Sequence, residues 1–172
     1  MRVPASEPLA AVATASGYRV RLAGSDEGEA IARCLHLAFG DWDAHRVRRA
    51  LLDAPDVQAT FVVVHEATGV IAACASHRTV PDRFPGATYL HWVGADPAHA
   101  GRRLGALVSA AVLTYGRREM GLGDAVLETD DHRLPAIATY LGLGFAPEYR
   151  DPSHPARWSA IFRRLGEARR RG

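Results

Sequence analysis

The chain contains no lysine and no asparagine: all 21 of its basic residues are arginine. Without lysine it has no Schiff-base nucleophile and cannot build a phosphate loop of the GxxxxGK[ST] type, and no site can draw a carboxamide from asparagine. Cysteine is scarce. Cys34 and Cys74 lie far apart, which fits a reducing compartment rather than a disulfide framework and makes a cytoplasmic location the expectation. No CxxC or HExxH pattern occurs, and the eight histidines fall into no metal-ligand spacing, so no metal is expected. Long apolar runs are missing too, so no transmembrane segment is expected. The opening "MRVPASEPLAAVATASG" has the basic start and small residues of a secretion signal, but its apolar run is short and preceded by Glu7. A disordered or loosely attached tail over 1–16 is the expectation. Excess charge of one sign is also lacking, the net being +2. The basic end at 167–172 is short and has no interleaved aromatics, so neither nucleic acid nor a membrane is expected as a partner.

What is present is an ordinary globular composition, 48% apolar and 23% charged over 172 residues, which bounds a single domain over 17–166. "GYRVRLAG" alternates like a first strand. "SDEGEAIARCLHLAFG" reads as a helix with Ser25 as N-cap, acidic residues in its first turn and Gly40 as its stop; Ile31, Cys34, Leu35, Ala38 and Phe39 share its core face. "DWDAHRVRRALLDAP" predicts a second, short helix ending before Pro55. "TFVVVH" and "VIAACAS" flank a turn with Gly69, a hairpin. "ATYLHWVGADP" is a further strand broken at Gly94, and 103–119 is a helix with an apolar stripe through Leu104, Leu107, Val108, Val112 and Tyr115. "DAVLETDD" predicts a strand and "LPAIATYLGLGF" a helix with Pro135 in its first turn and Gly144 at its end. "SHPARWSAIFRRLG" has helical spacing at Trp158, Ile161, Phe162 and Leu165, with Gly166 as stop. The strand–helix alternation of the second half requires crossovers, so the fold class is α/β with a partly parallel sheet.

"HAGRRLGALV", residues 99–108, carries the chemistry. It joins a strand to a helix, and a helix start offers unsatisfied N–H groups and a positive dipole end to an anion. The other glycine pattern, "GLGDAV" at 121–126, ends a helix and lacks the third glycine of a dinucleotide fingerprint.

Taken with "AVLETDD" and "RLPAIATYLGLGFAP", the stretch "HWVGADPAHAGRRLGALVSAAV" resembles the GCN5-related N-acetyltransferase (GNAT) superfamily over residues 89–147. The resemblance implies acetyl-CoA as cosubstrate, bound between two splayed parallel strands at 89–95 and 124–129. It implies pyrophosphate contacts from the loop and helix start, Ala100, Gly101, Arg102, Arg103, Leu104, Gly105 and Ala106, with Arg133 near the second helix. It further implies pantetheine contacts from the backbone of Val93, Gly94 and Ala95. Tyr140, in the "AxxxY" position, would protonate the leaving thiolate. Ala100 stands where the family's loop has Gln or Arg, Arg103 where it has its middle glycine, and Arg133 where many members have asparagine. If Arg103 lies in the first helical turn its dihedrals are right-handed, and its guanidinium either folds onto the pyrophosphate or faces water.

The base that deprotonates the amine is left between His91, Glu128 and a water relay. Asp41, Trp42 and His45, with Asp130, are the expected acceptor contacts. The acceptor would be a small-molecule or peptide amine, attacking directly in a ternary complex. A non-catalytic acyl-CoA sensor is the alternative, and a homodimer is left open.

Overall fold

Ile71–Arg78 (β4) is buried along almost its whole length and Val57–His65 (β3) through most of its middle, as their apolar and β-branched sequences require. On β3, Val62 and Val64 point to one core and Val63 to the other, the period of two that puts neighbours on opposite faces. The first core lies under Gly28–Phe39 (α1) and Ala44–Val47 (α2), which a π-helical turn extends over Arg48–Leu52. The second lies under Leu104–Arg118 (α3) and Leu134–Gly142 (α4). Tyr18–Leu22 (β2), Ala87–Ala95 (β5), Asp124–Val126 (β6) and Arg2–Val3 (β1) complete the sheet, in the order β1-β6-β5-β4-β3-β2. Only β5 and β6 run parallel, joined by the α3 crossover. His154–Arg171 (α5) closes the chain, and the computed structural model describes residues 1–171 except the side chains of Arg169 and Arg171.

Four sequence expectations are corrected. The N-terminal residues are not a loose tail: β1 pairs with β6, the Arg117 guanidinium donates to the carbonyls of Pro4 and Glu7, and Ala5 N–H donates to Asp124. The two-residue strand is set by its partner, β6, and has no period of its own. Ser25 does not cap α1. Glu27 holds that position, its carboxylate taking two hydrogen bonds from Arg21 at 2.6 Å and one from Gly24 N–H at 2.7 Å. β5 is not broken at Gly94; it runs to Ala95 with a bulge at Trp92–Val93, both opposite Ala75, and Trp92 at φ 45°. The last helix does not stop at Gly166 but continues through Arg171; Gly172, the end of the expected basic tail, lies outside the described residues.

Candidate active site

β5 and β6 pair only through Ala87–Tyr89 against Asp124–Val126. Past Tyr89 the two strands part, so the β5 backbone from Leu90 to Ala95 has no strand on that side. The opening is a cleft of about 1120 Å³. One wall is the end of α1 and the loop leading to α3; the other is the loop after β6 and the first turns of α4. Gly94 keeps the first wall close: a Cβ there would meet Leu35 Cδ2 at 2.8 Å and Phe39 Cε2 at 3.2 Å, so any larger residue must push these α1 side chains aside.

At one end of the cleft α3 begins. Its first intrahelical bond runs from Leu107 N–H to Arg103 C=O, which leaves the preceding amides of the first turn without helical acceptors. Gly101 has φ 80°, and a Cβ on Gly105 would meet no atom within 4 Å, so packing within the protein does not require a glycine there. Open amides, open space and the positive end of a 15-residue helix fit a phosphate. Arg103 lines this end, exposed and without an ion pair among the described residues. Its backbone corrects the sequence reading: it precedes the first turn as N-cap, left-handed at φ 56° and ψ 28°. The glycine that the family resemblance expects here would therefore relieve backbone strain as well as allow close approach.

Val93, Gly94, Ala95, Ala100, Gly101 and Leu104 line the same cleft, as do Arg133 and Tyr140. Two of the expected contacts do not. Ala106 is buried in the second core, and Arg102 turns away, its guanidinium 6.0 Å over the Tyr18 ring. Arg133 closes the far wall onto the near one: its Nε is 2.9 Å from Asp130, while its guanidinium lies 4.9 Å over the Phe39 ring.

Tyr140 is buried by the ring of Phe145 and the second core, and burial pushes its phenol up to about 12, with Arg133 pulling the other way. It stays protonated at any ordinary pH. His91 also lines the cleft; burial, aided by Arg78, holds its imidazole down to about 4, so it is neutral and a weak base. Glu128 sits across from it on the loop after β6. Burial works to raise its carboxyl, but hydrogen bonds from Arg83 at 2.7 and 3.2 Å and from the Tyr89 hydroxyl at 2.9 Å outweigh it and leave the group lowered.

Three expected acceptor contacts lie outside the cleft. Trp42 is 6% exposed and packed edge-on against Trp92, with Arg46 over its other side. Asp41 and His45 are exposed on the loop and first turn of α2, away from the cleft lining. Asp130 does line it. The sequence reading missed Phe39, Tyr89, Trp92 and Arg83. Tyr89 was within reach, since it shares the face of His91 two residues away; Trp92 was not, because the bulge turns a side chain that simple alternation sends to the opposite face.

A family model described as acetyltransferase (GNAT) family matches residues 28–145. The mycothiol acetyltransferase of Nocardia farcinica is 41% identical over 75 residues, covering 44% of this chain and 24% of that protein. Among solved structures, the GCN5-related N-acetyltransferase from Kribbella flavida superposes with a TM-score of 0.59 at 22% identity, covering 85% of this chain and 52% of that one. AAC(6')-Iy, solved with the bisubstrate analog CoA-S-monomethyl-acetylneamine, superposes at 0.66 with 20% identity over 79% of this chain and 95% of that one. The chain thus spans about half the length of the Kribbella structure, and its match to the curated relative takes in about a quarter of that protein.

Proposed function

The chain belongs to the acetyltransferase (GNAT) family, and from that premise we propose that it transfers an acetyl group from acetyl-CoA to a primary amine, by direct attack in a ternary complex. The observation that carries the reading is the parted β5–β6 pair, with an open helix N-terminus at one end and a buried, protonated phenol alongside. Bound acetyl-CoA would supply an activated acetyl thioester.

Each contact has a local basis. The amides of Leu104 and Gly105 and the Arg103 guanidinium take the pyrophosphate. The free β5 edge from Leu90 to Ala95 offers amides to the pantetheine arm and to the thioester carbonyl, where negative charge grows during attack. The amine nitrogen bonds to the carbonyl carbon as the carbon–sulfur bond breaks, and Tyr140 gives its proton to the departing sulfur. The proton lost by the amine passes through Glu128 or His91 to water. Both are weak bases, Glu128 because Arg83 and Tyr89 hold its carboxyl lowered and His91 because burial holds it down to about 4, so each serves as a relay and water is the final acceptor. A similar fold bound to an analog that joins CoA to an acceptor supports the ternary complex.

Tyr140→Phe tests the proton donor. It should lower kcat about a hundredfold while leaving the KM for acetyl-CoA within a factor of about two. An unchanged kcat and pH profile would remove Tyr140 from the chemistry.

A further inference from the structure

The acceptor half of the cleft is built mainly from rings. Tyr89, His91 and Trp92 follow one another along the β5 edge, with centroid spacings of 5.6 and 5.5 Å. Behind them, buried and outside the cleft lining, Phe84 stacks 5.6 Å from Tyr89 and Trp42 lies edge-on 4.7 Å from Trp92. The bulge makes this possible by bringing the Trp92 ring to the side that His91 occupies.

The charges around this shelf are already matched. Three carboxylates line the cleft. Glu128 is held by Arg83 and Tyr89, Asp130 by Arg133, and Asp96 accepts from the Ala98 amide at 2.8 Å. Behind the shelf, Arg78 is bound to Asp56, its Nε 2.6 Å from the carboxylate. The guanidinium groups of Arg46 and Arg133 already cover faces of Trp42 and Phe39, which limits what those rings offer to a second cation. A polycation would need several spare carboxylates beside these rings, and an acceptor carrying a carboxylate would need a spare arginine there; the described residues provide neither, the unpaired Arg103 lying at the end of the cleft where α3 begins. Of the two accessible carboxylates, Asp130 is drawn to Arg133 on the far wall, and Glu128, beside the Tyr89 hydroxyl at the end of the ring row, can face a single ammonium.

Building on the acetyltransferase reading, we infer that the acceptor is a singly charged amine on a flat, apolar body, its ring on Tyr89, His91 and Trp92 and its nitrogen towards Glu128. Ring-on-ring contact gives such a ligand most of its binding area. It also directs the nitrogen to the stretch of cleft where the strands part.

The test is calorimetric titration of the CoA-loaded protein with 2-phenylethylamine, phenylalanine and spermidine. Phenylalanine keeps the ring and adds a carboxylate; spermidine keeps the amines and drops the ring. The expected result is that 2-phenylethylamine binds at least about tenfold more tightly than either. Trp92→Ala, measured with CoA affinity as the control for an intact site, should weaken 2-phenylethylamine by about tenfold. Spermidine or phenylalanine binding as tightly as 2-phenylethylamine in the wild-type protein would overturn the inference, whatever the variant does. The readout does not depend on turnover. Acetylation of spermidine alone would keep the enzyme and discard this acceptor class; 2-phenylethylamine binding with no acetyl product from any amine would do the reverse.

Discussion

At the scale of single residues, Arg103 combines two costs that can be measured apart. Its left-handed backbone is strained for a residue with a Cβ, and its cation has no ion pair among the described residues beside an open helix start. Arg103→Gly should leave thermal stability unchanged or raise it by up to about 1 kcal/mol, while modestly raising the KM for acetyl-CoA. Arg103→Glu should raise that KM about tenfold or more, because it sets a negative charge against the phosphates. If steady-state kinetics find the KM of the glutamate variant unchanged, the guanidinium faces water. His91 makes a second prediction. Its folded-state value is depressed by burial, so below the ordinary histidine value the unfolded chain binds the proton first and stability falls with pH. His77, also lowered by burial, acts in the same direction. Melting curves should lose of order 1–3 kcal/mol between about pH 6.5 and pH 4, and His91→Gln should flatten part of that slope.

At the scale of elements, β5 does most to shape the site. It carries the bulge, the free edge and the glycine on which α1 rests. Gly94→Ala forces a methyl into Leu35 and Phe39 and should cost about 1–3 kcal/mol in denaturant unfolding. Acetyl-CoA affinity should fall with it if α1 is pushed off the strand. The helices were legible in the sequence because each repeats its period, and the central hairpin because two apolar, β-branched runs flank the turn at Gly69. The cleft was reached through the family resemblance carried by the loop before α3 and "RLPAIATYLGLGFAP", since helical spacing alone reads Tyr140 as a core aromatic. What stayed hidden depends on partners far along the chain. β1 exists because β6 offers it an edge, the start of α1 is decided by the Arg21–Glu27 pair, and the turn of Trp92 comes from the mismatch with Ala75. The left-handed Arg103 was hidden differently: the right-handed reading assumed a place inside the first helical turn, and the helix starts one residue later, at Leu104.

At the scale of the whole molecule, the sheet carries its two cores on opposite faces and opens at one end between β5 and β6. Arg133 ties the two walls of that opening together across Phe39 and Asp130, in the place where many GNAT members have asparagine. The fold alone would serve a CoA sensor as well as an enzyme that moves an acetyl group through this cleft. The most direct measurement is the stoichiometry of product: free CoA and acetylated amine, quantified together by mass spectrometry after incubation with acetyl-CoA and 2-phenylethylamine. Equal amounts of the two, accumulating over many turnovers and strongly reduced by Tyr140→Phe, are the expected result. Tight acetyl-CoA binding without acetylated product from any amine in a broad panel, and no CoA release above spontaneous hydrolysis, would contradict it.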